Sequence, residues 1–223
     1  MKNFKAILFD MDGTLVDTSL HWLAAYQNFI KKFNVSYVRE HIKMIDGKSL
    51  VQSSKLFKEM HNLPHSVEEI MAHKIATSED VYKVHALPLL GATDLLKQIK
   101  NQNNHKTAVA SGSSLERIKT IVDRFQWQDY FDTLASTDHV NYVGKPDPAV
   151  FLYAAEALGV SPEDCVVIED SENGLNAAKR AGMQCVIRHD DRWSIGDYSN
   201  ADLMVKSLED KEIYDFLGVT YGS

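Results

Sequence analysis

Apolar residues fall along this chain in two alternating rhythms. Five short runs, Ala6 to Phe9, Thr107 to Ala110, Phe131 to Ala135, Cys165 to Ile168 and Gln184 to Ile187, lack polar alternation. Strands buried on both faces of a parallel sheet read this way. Between them lie helical stripes: Ala92, Leu95, Leu96 and Ile99; Leu115, Ile118, Val122 and Phe125; Phe151, Ala154, Ala155 and Leu158. Such spacing buries one side of a helix. Ser113 with Glu116 makes a capping-box pair, Asp147-Pro148 a helix start, and Gly159 and Gly182 stand where helices end. Strands alternating with helices predict βαβ units with right-handed crossovers, hence an α/β fold with a doubly wound parallel sheet.

One stretch breaks the rhythm. From about Asp17 to Leu87 there are only amphipathic patterns, with Trp22, Tyr26, Phe29 and Phe33 at helical spacing, as are Val67, Ile70, Met71, Lys74 and Ile75. More helical layer on the sheet is one reading. An inserted helical domain is the better one, because the stretch follows the first strand directly and the β/α rhythm resumes at Leu89. The expected division is a core of residues 1–16 and 88–223, interrupted by a helical domain at 17–87.

Composition narrows the function. The 223 residues carry a net charge of -7, which disfavours a nucleic-acid footprint, since that needs clustered basic surface. A phosphate-bearing ligand would have to be drawn by a local cation. The apolar run in Met1–Asp10 is shorter than a secretory signal, and no stretch approaches the roughly 20 apolar residues of a membrane helix. Cys165 and Cys185 lie within apolar runs and read as buried reduced thiols, which fits a cytoplasmic setting. A monomer is expected.

The chemistry gathers at the carboxyl ends of the strands, where open α/β sheets bind ligands. The first strand ends in Asp10-Met11-Asp12-Gly13-Thr14. Two carboxylates so close are costly unless a cation or proton compensates, although Asp-Gly also marks ordinary turns. The second ends in Ser111-Gly112-Ser113-Ser114, where a hydroxyl and free N–H groups at a helix start can hold an anion or simply cap the helix. Ser113 suits the capping role; Ser111 comes too early for it. Lys145 follows the third strand on a loop stiffened by Pro146 and Pro148, which would give it a defined direction, although taken alone an ordinary surface lysine is the readier reading. The fourth ends in Glu169-Asp170-Ser171-Glu172, acids that can bind a hard cation or complement a helix dipole, the latter suiting Glu172.

In order along the chain, FDMDGTLVDT, ASGSS, GKPDP and VIEDSENG resemble the four motifs of the haloacid dehalogenase-like hydrolase superfamily. The resemblance spans essentially the whole chain. It implies a Rossmann-like core, with the insertion as the helical cap of the subgroup that holds β-phosphoglucomutase and many sugar-phosphate phosphatases. It further implies Mg²⁺-dependent phosphatase activity through an aspartyl-phosphate. By that resemblance Asp10 is the nucleophile and Asp12 the general acid and base. Mg²⁺ is held by Asp10, the Asp12 carbonyl and Asp170, with Glu169 as ligand or neighbour. Ser111, Gly112 and Lys145 hold the phosphoryl oxygens. Asp12 argues against the dehalogenases and phosphonatases, which replace it.

A β-phosphoglucomutase-type transferase is the alternative. The mutases have a histidine where Trp22 stands, next to His21, and an arginine where Leu50 stands. A catalytically silent binding module is a further alternative, opposed by the complete acid and lysine set. From the cap, Trp22, Gly47 and Lys48 are candidate substrate contacts, with helix packing and a solvated helix start as the plain alternatives for Trp22 and Lys48. The nine histidines form no metal pattern, since Pro64 separates His61 from His65, and they read as surface or loop residues. The expected partner is a small phosphorylated metabolite, with neither nucleic acid nor membrane.

Overall fold

The computed structural model describes residues 4–38, 41, 44–45, 48–102 and 104–221. The five apolar runs become β1 (Ala6–Phe9), β4 (Lys106–Ser111), β5 (Thr133–Ser136), β6 (Cys165–Glu169) and β7 (Gln184–Arg188). A further strand, β8 (Leu203–Val205), joins them in a six-stranded sheet ordered β5-β4-β1-β6-β7-β8, parallel throughout. The sequence pattern missed β8, because three residues are too few to establish a rhythm.

Side-chain alternation explains the unbroken apolar runs. Ile7, Phe9, Val109, Val166, Ile168 and Val186 face one core, which α4 (Ala92–Gln102), α5 (Leu115–Arg124) and α8 (Lys211–Leu217) cover. Ala6, Leu8, Ala108, Ala110, Val167 and Ile187 face the other, under α6 (Ala149–Leu158) and α7 (Glu172–Arg180). With both faces covered, polar residues have no place in the strands until their ends. Cys165 and Cys185 are buried and unpaired. Among the described residues, no helix is long and apolar enough to cross a membrane.

Helices α1 (Ser19–Lys32), α2 (Leu50–Met60) and α3 (Val67–Asp80), with a π-helical turn at Val81–His85, occupy the stretch that breaks the rhythm. They share a core of their own, built on Tyr26, Phe29, Ile30, Phe33, Phe57 and Ile70. The chain leaves and re-enters the sheet layer through β2 (Val16–Asp17) and β3 (Leu87–Pro88), which pair antiparallel.

Three local expectations need correction. The start of α5 is capped by Ser114, which accepts from Arg117 N, so Ser113 is free for other work. Helix α6 starts after Pro148, with Asp147 Oδ1 accepting from Ala149 N, one residue later than expected. The histidines are not merely surface residues: His61, His65 and His73 pack their rings on Phe57, Phe33 and Phe29, with centroids 4.8, 4.9 and 5.8 Å apart.

Candidate active site

Strand order runs outward from β1 in both directions, so a crevice opens at the carboxyl ends where β1 lies between β4 and β6. Parallel pairing brings the three strand ends level: Phe9 is opposite Val109 and Ile168. Asp10, Ser111 and Glu169 thereby converge on one crevice. Its cavity, about 530 Å³, is lined by Asp10, Asp12, Ser111, Gly112, Glu169 and Asp170 from the sheet side, and by Trp22, Lys48 and Lys74 from the helical insertion. Gly47 lies outside the described residues.

Lys145 reaches the centre of this cluster. It is 1% exposed, and its ammonium donates to Asp10 Oδ1 and Glu169 Oε1, both at 2.5 Å. Burial pulls the Lys145 ammonium down, but the Asp10 and Glu169 carboxylates outweigh it and hold it above the usual lysine range. Asp10 is pushed the other way. Burial, then Glu169 and Asp12, raise it well above the usual carboxylate range, with Lys145 opposing. Four acids around one lysine leave a surplus of negative charge that a cation would neutralise.

The donors for that cation are present. Oxygen atoms of Asp10, Glu169 and Asp170 lie within 4.8 Å of one another, a hard-ligand set suited to Mg²⁺. Two glycines permit the close approach. A Cβ on Gly13, at φ +78°, would stand 2.0 Å from Asp170 Oδ2, and one on Gly174 would stand 1.9 Å from Glu169 Oε1. Glu169 Oε2 meanwhile accepts from Asp170 N, Ser171 N and Ser171 Oγ at 2.9–3.0 Å, which fixes the turn carrying Asp170. Behind it, Tyr198 donates to the Asp170 carbonyl (3.2 Å), and Arg188 donates to the Gly13 carbonyl (2.8 Å).

The Asp12 carboxylate is held by four donors. Oδ1 accepts from Thr18 Oγ1 (2.9 Å) and Trp22 Nε1 (3.3 Å), Oδ2 from Tyr82 OH and Ser113 Oγ (both 3.0 Å). Burial first, then the Asp12 charge, pushes the Tyr82 phenol well up, so it stays a donor at neutral pH. Trp22 therefore touches an acid of the site as well as packing a helix. Ser113 and Tyr82 are site residues that the sequence pattern did not reveal. Ser111 Oγ accepts from Ser113 N (3.1 Å), which turns the β4–α5 loop into the crevice.

Residues 4–182 match the family described as haloacid dehalogenase-like hydrolase. The chain is 33% identical to a probable pseudouridine-5'-phosphatase from Drosophila melanogaster, over 91% of this chain and 89% of that protein. It is also 33% identical to a β-phosphoglucomutase from Bacillus subtilis, over 92% and 91%. Among solved structures, CbbY from Rhodobacter sphaeroides in complex with phosphate superimposes with a TM-score of 0.78 at 26% identity, covering 92% of this chain and 95% of CbbY.

Proposed function

The chain belongs to the haloacid dehalogenase-like hydrolases, and from that premise we propose that it is a Mg²⁺-dependent phosphatase acting on a small sugar-phosphate-like metabolite through an aspartyl-phosphate on Asp10. One observation carries the reading: a buried lysine bonded to Asp10 beside a cluster of carboxylates sized for a hard cation. The phosphatase and mutase relatives support a small phosphate ester as the substrate class.

Asp10, the Asp12 carbonyl and Asp170, with Glu169 beside them, would hold Mg²⁺. When bound, the ion offsets the repulsion between a carboxylate and a phosphate dianion. Lys145 adds a fixed positive charge at the same place, and Ser111 with the Gly112 backbone would receive the phosphoryl oxygens. An oxygen of Asp10 attacks phosphorus as the bond to the leaving alcohol breaks, and Asp12 gives that alcohol its proton. Asp12 then takes a proton from water, which attacks the aspartyl-phosphate and releases phosphate and free Asp10. Dividing the displacement in two lowers each barrier, and acid–base help of this kind contributes about 10²–10⁴-fold.

Residues 17–87 act as a cap in this reading, hinged at the β2–β3 pair and excluding water when closed. A substrate-analogue complex with the cap orientation unchanged would argue against closure. The mutase alternative keeps the same core, and the Bacillus subtilis relative favours it as the second reading. Glucose 6-phosphate formed from β-glucose 1-phosphate faster than free phosphate would select it.

Hydrolysis of p-nitrophenyl phosphate with Mg²⁺, and its loss in EDTA, is the direct test. Asp10→Asn should abolish turnover, and mass spectrometry of a quenched wild-type reaction should find phosphate on the peptide containing Asp10. Full activity in Asp10→Asn would end the proposal.

A further inference from the structure

Away from the carboxylate cluster, Lys74 and Arg117 line the same cavity without an ion pair to any described carboxylate. Lys74 on α3 donates to Ser53 Oγ (2.8 Å) and stands 5.6 Å from the Phe29 ring centroid. Arg117 on α5 donates to Ser78 Oγ (2.7 Å), and its guanidinium lies over the Tyr82 and Trp22 rings, 5.0 and 5.6 Å from their centroids. Among the described residues, no carboxylate comes within 4.0 Å of either cation. The acids at this end are Glu79 and Glu116, both exposed; Glu79 is paired with Lys83, and the pull of Arg117 is the smallest of the effects on it.

A cation enclosed without a counter-charge is costly, and two that repel each other are costlier. Their effect is visible on Lys74, whose ammonium is driven down to about 7, by burial first and then by Arg117. The chain has 31 acidic residues against 24 Lys and Arg, so partners were not scarce. An unmet positive charge in a ligand cavity is met by the ligand.

We propose that Lys74 and Arg117 form a second anion site, so that the substrate is a phosphate ester bearing another anionic group, a carboxylate or second phosphate, at the end away from the scissile bond. This rests on the phosphatase reading and narrows its substrate class. The cavity, at about 530 Å³, is in the range that encloses whole small-molecule ligands. The two cations come from different bodies, Lys74 from the insertion and Arg117 from the sheet's helix layer. A bound anion between them ties the one to the other over the reacting phosphate.

The experiment compares kcat/KM for fructose 1,6-bisphosphate, 6-phosphogluconate, glucose 6-phosphate and p-nitrophenyl phosphate, in wild type and Lys74→Met. Wild type should favour one of the two bis-anionic esters at least tenfold over glucose 6-phosphate; which one tells phosphate from carboxylate. Lys74→Met should cut the ratio of that ester to p-nitrophenyl phosphate at least tenfold, chiefly through KM. Equal use of glucose 6-phosphate by wild type, or a ratio untouched by the substitution, overturns the proposal while p-nitrophenyl phosphate turnover leaves the phosphatase reading standing. A readout without turnover is calorimetry of fructose 1,6-bisphosphate with EDTA at pH 8, in buffers of different ionisation enthalpy. Binding should take up a proton in wild type and not in Lys74→Met, because Lys74 is the cation held down to about 7. Equal proton uptake by both proteins would also overturn the proposal.

Discussion

Replacing Glu169 by glutamine keeps the shape and removes one acceptor, which makes it a sharp probe of the buried cluster. One carboxylate oxygen serves Lys145, while the other accepts three donors from the β6–α7 turn. A glutamine amide has one acceptor and one donor end. With its oxygen towards the turn, the NH₂ group confronts the Lys145 ammonium; flipped, it confronts three donors. The first orientation loses a charge-assisted bond at 2.5 Å, worth about 1.5–3 kcal/mol, and weakens three others. Relief of repulsion on Asp10 offsets a part. The net loss should be about 2–3 kcal/mol. With a urea slope of about 2–3 kcal/mol/M for a chain of this size, the unfolding midpoint should fall by about 1 M. Circular dichroism of the EDTA-treated proteins measures it. A midpoint within roughly 0.2 M of wild type would refute the assignment of Glu169 as the buried anchor of the site.

Lys74→Met should stabilise the ligand-free protein at pH 6, by about 2 kcal/mol once solvent around the side chain is allowed for. The folded-state pKa lies near 7, below the ordinary 10.5, so the cost of the charge is full below 7 and disappears as pH climbs to 10.5. Urea midpoints of the two proteins should therefore converge between those values, and a gap that stays constant would contradict the reasoning. The insertion should also loosen in acid before the sheet does. Burial lowers His61 and His73 below the usual histidine value, so their folded forms resist protonation and stability is lost as pH falls through 6.5. Hydrogen exchange at pH 5.5 should rise first in α2 and α3, and uniform loosening would count against it.

The sheet was legible because each run had to be apolar on both faces, while which core Ile7 and Leu8 each enter is seen only in the structure. The acids were legible because carboxylates at the ends of buried strands demand a reason, whereas Lys145, by itself an ordinary loop lysine, was legible only through the ordered motifs and the family they resemble. Tyr82 was not, since it meets Asp12 across 70 residues of sequence and sits in a π-helical turn with no pattern of its own. Ser113 was misread because serine before a helix satisfies two descriptions, helix cap and hydroxyl donor. Only the placement of Ser114 as the cap decides between them. The pairing of Lys74 with Arg117, the basis of the proposed anion site, was hidden for the same reason as Tyr82: the two lie on elements that folding alone brings together.

The start of α2 touches the sheet layer at a telling place. Gln52 Oε1 accepts from Gly144 N at 2.8 Å, and a Cβ on Gly144 would collide with Ser49 N at 2.4 Å. Gly144 immediately precedes Lys145. Any outward swing of the insertion must first let go of the backbone that aims the buried ammonium, and must also withdraw Trp22 from Asp12. On the proposed reading, an opened enzyme would be disarmed at two points at once, at the charge assigned to the phosphate and at the acid assigned to the alcohol. Assembly of the site and exclusion of solvent would then be a single event.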